Sequence, residues 1–183
     1  MSTHLQRKVV HLDLEYMEGI VENFQFEIFR YCYQMVRSKE TAEDITQEVF
    51  IKFCQLSSKK EYSPRYLYAI AHNKCIDYLR KEKRRYLFFK NYNAETHEES
   101  TEDLFFKNEF TNELETVLNS LTSYEKSVLL LKSVSGLSYK EMSEILKKKE
   151  PALRKQFQRA KSKIEKNLNE KGVTINNEKI SVF

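Results

Sequence analysis

Five residues between Leu153 and Leu168, namely Arg154, Lys155, Gln158, Arg159 and Lys161, are of the types that nucleic-acid recognition needs. Arg and Lys pair with guanine edges or phosphates, and Gln can make a two-point contact to adenine. Each good base contact is worth roughly 1–3 kcal/mol of discrimination. They lie in a basic run, Lys147 to Lys166, where nine Lys/Arg face only Glu150 and Glu165. The solvated face of a helical hairpin has the same composition, so the run is a DNA footprint only if the fold aims it at phosphates. A second group is acidic. Asp44 and Glu48 stand four residues apart, and with Asp77 they could share a metal in a nucleic-acid-cleaving enzyme. Plain surface acids of a helix share that spacing.

Little else in the chain offers chemistry. Cys32, Cys54 and Cys75 are odd in number and sit among apolar residues at helical spacing, the pattern of reduced core thiols. His4, His11, His72 and His97 lack the paired spacing of a zinc site. There is no nucleophile–base pair and no Gly-rich phosphate loop. The expectation is a protein that is not an enzyme, with no catalytic residues, metal, cofactor or small-molecule substrate.

The elements that must position these residues are helical. With only 3 Gly and 2 Pro in 183 residues, hairpins and strand corners lack their usual formers. Leu14, Met17, Val21, Phe24, Ile28, Tyr31 and Met35 recur every three or four residues, as one long helix or two in series. Ser38 to Glu40 interrupts them, and Thr41 with Asp44 then reads as the start of a second helix. Its apolar stripe is Ala42, Ile45, Val49, Phe53 and Leu56. After a polar loop, Ser63-Pro64 reads as N-cap and first helical residue. The third helix buries Leu67, Ile70, Ala71, Cys75, Tyr78 and Leu79 and exits in Arg80 to Arg85.

From Tyr86 to about Thr111 periodicity fades, and Glu95 to Glu115 holds eight Asp/Glu against Lys107 alone, so this stretch reads as a flexible acidic linker. Leu114, Val117, Leu118 and Leu121 open the second unit. Thr122 with Glu125 and Ser138 with Glu141 form capping boxes for a helix over Ser123 to Ser135 and for a short one burying Met142, Ile145 and Leu146. Gly136 marks the stop between them. Lys147 to Glu150 turns the chain, and the last helix has the stripe Leu153, Phe157, Ala160, Ile164 and Leu168. A short helix, a turn and a longer helix make a helix-turn-helix, whose second helix enters the major groove. The fold class is therefore all-α: two small helical domains joined by a flexible linker, the C-terminal one containing a helix-turn-helix. The domains are placed at 12–85 and 112–170, with the linker at 86–111 and a tail at 171–183. No run approaches the roughly 20 apolar residues of a membrane span, and Met1 to Leu14 lacks a signal-peptide core. A soluble, cytoplasmic protein is expected.

Three stretches resemble the extracytoplasmic-function sigma factors of the sigma-70 superfamily. They are Ala42 to Phe53 (AEDITQEVFIKF), Tyr66 to Arg80 (YLYAIAHNKCIDYLR), and Gly136 to Leu146 (GLSYKEMSEIL) followed by Arg154 and Arg159-Ala160-Lys161. They span roughly residues 15 to 170. The resemblance implies a specificity subunit that binds core RNA polymerase, directs it to promoters and assists opening at the −10 element. Asp44, Gln47 and Glu48 match positions that contact the β′ clamp helices. Lys59, Lys60, Tyr62, Asn73, Lys74, Asp77 and Arg80 are the candidates for the −10 element, where aromatic and cationic groups hold an unstacked strand. Ser138, Arg154, Lys155, Gln158 and Arg159 are the candidates for the −35 element, in a domain that also meets the β flap. The family further implies an anti-sigma factor as partner.

The chain departs from the family pattern at several points. Tyr66 stands where Trp is usual, Thr122 where Pro is common, and Lys147 to Ala152 replaces a small-residue turn ending in Gly-Thr. Some 22 residues of this linker extend to roughly 70–80 Å, enough to join sites about 17 base pairs, or near 58 Å, apart at ~3.4 Å per pair. Two other readings stand beside this one: a conventional helix-turn-helix regulator that acts without sigma exchange, and the metal-dependent enzyme built on Asp44, Glu48 and Asp77.

Overall fold

The computed structural model describes residues 2–57, 63, 65–92 and 117–170. The helices with both ends described are α1 (Ser2–Val36), α2 (Lys39–Ser57), α3 (Tyr66–Tyr92), α4 (Ser123–Ser133), α5 (Tyr139–Leu146) and α6 (Glu150–Glu170), and residues 117–119 are helical as well. No strand occurs among the described residues. The first apolar stripe forms one helix rather than two. Along α1, Met17, Val21 and Phe24 are half-buried, and Ile28, Tyr31 and Met35 are fully enclosed.

The α1 helix stops because Arg37 turns left-handed, at φ 61°, with its amide bonded to the Tyr33 carbonyl at 2.8 Å. That turn leaves Ser38 just outside the next helix, and its hydroxyl accepts from the Thr41 amide at 3.3 Å. Ser38, not Thr41, therefore caps α2, which begins three residues earlier than a cap at Thr41 would place it. The stripe of α2 is buried as expected at Ala42, Ile45, Val49 and Phe53. The Ser63 carbonyl accepts from the Tyr66 amide at 2.8 Å ahead of α3, while Pro64 lies outside the described residues. The α3 helix does not stop at Arg85. It runs on to Tyr92, because Tyr86 to Asn91 contains no Gly or Pro to end it.

In the second unit both expected capping boxes form. The Thr122 hydroxyl accepts from the Glu125 amide at 3.2 Å, and the Glu125 carboxylate accepts from the Thr122 amide at 2.9 Å. Ser138 and Glu141 repeat the arrangement at 3.3 and 2.7 Å. Gly136, at φ 63°, turns the chain so that the Leu137 amide reaches the Leu131 carbonyl at 3.0 Å. Leu153, Ala160, Ile164 and Leu168 of α6 are buried, the last three with Val117, Leu118, Leu121 and Leu129. Leu114 and the tail after 170 lie outside the described residues.

The two units also share a core. One apolar cluster runs from Ile28, Phe53 and Leu67 through Val128, Leu130, Leu131, Met142 and Leu153. Consecutive buried residues at 67–71 and 125–131 explain how this is possible. An amphipathic helix buries one stripe, and a helix buried on several sides lies between two partners. At the junction Ser127 is fully buried, with its hydroxyl 2.8 Å from both Tyr31 Oη and His72 Nδ1. Tyr31 Oη and His72 Nδ1 are themselves 3.3 Å apart, so the three groups close a ring of hydrogen bonds in which each hydroxyl can donate to a neighbour. Arg65 and Glu141 form an ion pair across the same junction.

Candidate nucleic-acid interface

The α6 helix turns its apolar stripe inward, which leaves Arg154, Lys155, Gln158 and Arg159 exposed on the outside. Arg154 is held in place before any ligand arrives. Its guanidinium lies 4.5 Å from the centre of the Tyr139 ring and 3.7 Å from the Glu150 carboxylate. Tyr139 in turn meets Phe157 edge-on, with ring centres 6.4 Å apart. Stacking on a packed ring limits the rotamers of a long cation, so less freedom is lost when it binds. Lys161 is half-buried and paired with Glu165 at 3.7 Å, so it faces outward less fully than its neighbours. Ser138 is exposed, but its hydroxyl already serves the capping box of α5.

The turn before α6 is made through a left-handed lysine. Lys147 has φ 53° and caps α5, and α6 starts at Glu150, one residue ahead of Pro151. The short-helix, turn, long-helix geometry is thus reached through an unusual residue. Deeper in the unit, Lys163 reaches the buried Glu125 at 2.6 Å. Burial alone would raise the Glu125 carboxyl, but Lys163 and the Thr122 donors hold it below the usual range. Removing Lys163 would leave that carboxylate with the Thr122 donors alone.

In the first unit Asp44, Gln47 and Glu48 are all exposed on one face of α2. On α3, Asn73, Asp77 and Arg80 are exposed and Lys74 is half-exposed. Arg80 lies 3.7 Å from Asp77, and Lys74 forms an ion pair with Glu48. The described members of the expected polymerase-binding and −10 sets therefore adjoin, joined by the Lys74–Glu48 ion pair. Lys59, Lys60 and Tyr62 lie outside the described residues.

Sequence reasoning missed two features here. The α3 extension continues the Asp77 and Arg80 surface through Lys83, Arg84 and Leu87, with Tyr86, Phe88 and Phe89 also exposed. The unbroken helix-forming run past Arg85 was the available signal. The other is the buried polar group at Tyr31, His72 and Ser127, joined across the chain with no sequence signal. Desolvation, aided by the Arg80 charge, lowers His72 from its ordinary 6.5 to about 4, which keeps the ring neutral. Cys32 and Cys75 match their reading as core thiols, whereas Cys54 is half-buried. All three are free, and the Cys75 thiol, hydrogen-bonded to Cys32 and buried, is pushed well above its ordinary pKa.

The family description Sigma-70 region 2 matches residues 20–85, and Sigma-70, region 4 matches residues 111–164. The RNA polymerase sigma factor YlaC of Bacillus subtilis is 28% identical over 159 residues, covering 83% of this chain and 91% of that protein. The ECF RNA polymerase sigma factor SigW of the same organism is 29% identical over 150 residues, covering 73% and 79% respectively. Among solved structures, the sigma factor RpoE of Bartonella quintana, in complex with the anti-sigma factor NepR, superposes with a TM-score of 0.66. It is 16% identical and covers 83% of this chain and 96% of that one. CnrH, in complex with the cytosolic domain of CnrY, gives a TM-score of 0.63 at 16% identity, covering 86% and 90%. With both region descriptions matched in order on a helical frame, and with relatives that are themselves such factors, the chain belongs to the extracytoplasmic-function sigma factors of the sigma-70 superfamily.

Proposed function

We propose that this sigma factor divides its work between two modules, residues 12–85 and 112–170, with the chain between them as a tether. Asp44, Gln47 and Glu48 bind the β′ clamp helices of core polymerase. Lys59, Lys60, Tyr62, Asn73, Lys74, Asp77 and Arg80 engage the −10 element and its displaced strand. Ser138, Arg154, Lys155, Gln158 and Arg159 read the −35 element, in a module that also rests on the β flap. The chain itself makes and breaks no covalent bond. Opening follows from binding energy, because holding the single strand shifts the equilibrium toward the open promoter.

One observation carries this reading. The same helices that turn their apolar stripes inward leave Asp44, Gln47 and Glu48 on α2, and Arg154, Lys155 and Arg159 on α6, exposed on their outer faces. We place the protein in the cytoplasm, where polymerase works, and note that none of its described helices is long and apolar enough to cross a membrane. An anti-sigma factor is the partner we propose for the resting state, since a protein of the same fold is seen bound to one.

Transcription with purified core polymerase and a promoter library tests the whole reading. It predicts new start sites that depend on the added protein, and their loss when Asp44 and Glu48 are replaced. Absence of core binding together with absence of new starts would refute it. Tight operator binding by the free protein, indifferent to Asp44 and Glu48, would point instead to a conventional regulator.

A further inference from the structure

The two modules touch where the proposed function needs them apart. Promoter sites about 17 base pairs apart lie near 58 Å from one another at ~3.4 Å per pair. In the fold, α4 packs on α1 and α3, and α5 packs on α3. Arg65, one residue ahead of α3, pairs with Glu141 on α5. The same Glu141 accepts from the amide of Ser138, a member of the −35 set, while α3 carries Asn73, Lys74, Asp77 and Arg80 of the −10 set. A chain in this form cannot lay α3 on one element and α5 with α6 on the other.

The seam between the modules differs from the core of the second one. On α4, Leu129 joins Ala160, Ile164 and Leu168, whereas Val128 and Leu131 join the cluster that holds Ile28 and Leu67. Polar groups sit in that seam: the ring of Tyr31, Ser127 and His72 closes across it. A hydroxyl or imidazole that pairs in the closed form is hydrated when the seam opens, so parting the modules strands no polar group. Arg65 and Glu141 keep 57% and 25% of their side chains exposed, so their ion pair contributes modestly. Modules joined through a mixed, hydratable seam are free to move relative to one another. Its apolar share favours the closed form while nothing else is bound.

We propose that the free protein holds itself closed, with the Ser127 hydrogen bonds and the Arg65–Glu141 pair as the latch, and that core polymerase opens it by engaging the two modules at separate sites. This rests on the reading above that both promoter elements are bound at once. Core polymerase then binds only the fraction of the protein that is open, and the apparent affinity falls with that fraction. The restraint lies within the chain itself and acts beside the anti-sigma factor proposed above.

The test pairs the affinity of full-length protein for core polymerase with a distance, read by a dye pair on α2 and α6. Ser127→Ala should shift the closed–open balance about 5–30-fold, and Arg65→Ala about two- to fivefold. Core affinity should rise by up to the same factors, and the dye separation in the free protein should lengthen. A contact that only stabilises the fold would leave core affinity unchanged or lower it, so the direction of the change is diagnostic. Circular dichroism checks that both variants keep the parent's helix content, and Arg65→Ala, at the exposed edge of the seam, carries the test if Ser127→Ala fails to fold. A free wild-type protein already as extended as its core complex overturns the proposal, and so do variants whose core affinity stays level or falls. Core binding that depends on Asp44 and Glu48 but leaves the dye separation short would sink the latch and spare the docking reading. Absence of core binding by every form would refute both.

Discussion

Replacing Ser127 by Ala tests whether the two modules share a core in solution as they do in the fold. The hydroxyl bonds Tyr31 and His72 at 2.8 Å each, from a position 96 residues along the chain from Tyr31. Each bond is worth about 1 kcal/mol net, and a buried group left without a partner costs about 1–3 kcal/mol. Tyr31 Oη and His72 Nδ1 are themselves 3.3 Å apart, so they can re-pair when Ser127 is lost. The worked cost is therefore about 1–2 kcal/mol, below the sum for two orphaned groups. Tyr31→Phe leaves the Ser127–His72 bond in place and should cost about 1 kcal/mol. The double variant removes the possibility of re-pairing, so it should exceed the sum of the singles. Urea unfolding followed by circular dichroism gives the three values. A dye pair on α2 and α6 shows whether the loss falls on the contact between modules. If Ser127→Ala leaves both the urea midpoint and the dye distance unchanged, the shared core does not form in solution and the reasoning is wrong.

Three further outcomes follow from the same structure. Because His72 is held near 4 in the fold against an ordinary 6.5, the unfolded chain binds its proton first. Stability should be unaffected above about pH 6.5 and fall progressively toward pH 4, by up to about 3 kcal/mol. His72→Asn, which keeps an acceptor near Nδ1 but cannot titrate in this range, should flatten the stability–pH curve over that window. Lys147 holds φ 53° without being glycine, so Lys147→Gly should raise stability by about 0.5–1 kcal/mol, whereas Gly136→Ala should lower it by about 1 kcal/mol or more; thermal melts check both. On −35 DNA in the holoenzyme, Arg154→Ala should cost about 1–3 kcal/mol at one base position, while Lys155→Ala should weaken all sequences alike and reduce the salt slope by about one; salt titrations against a mutated site set separate the two.

Much of the local architecture was legible in the residues themselves. Stripes such as Ala42, Ile45, Val49 and Phe53 name the buried face of a helix because 3.6-residue periodicity leaves no other face apolar. Capping boxes at Thr122 and Ser138 and the left-handed Gly136 follow from short-range hydrogen bonding that needs no distant partner. The outward cations of α6 follow by elimination once its stripe is assigned. Local signals also had a limit at short range. Thr41 and Ser38 are both acceptable caps, and the left-handed turn at Arg37 selected Ser38.

Tertiary structure alone decided the rest. Residues 67–71 and 125–131 are buried on more than one side, and periodicity assigns a helix one buried stripe, so the second face was invisible until the modules met. Ser127, Tyr31 and His72 look like ordinary polar residues in the chain. They become one hydrogen-bonded group only when α1, α3 and α4 pack together, because a hydroxyl's partner depends on where folding brings it and not on its neighbours in sequence. Phe26 shows the converse. Its type suits a core, yet packing left it in solvent beside Gln47, since α1 turns its other faces to α2 and α3.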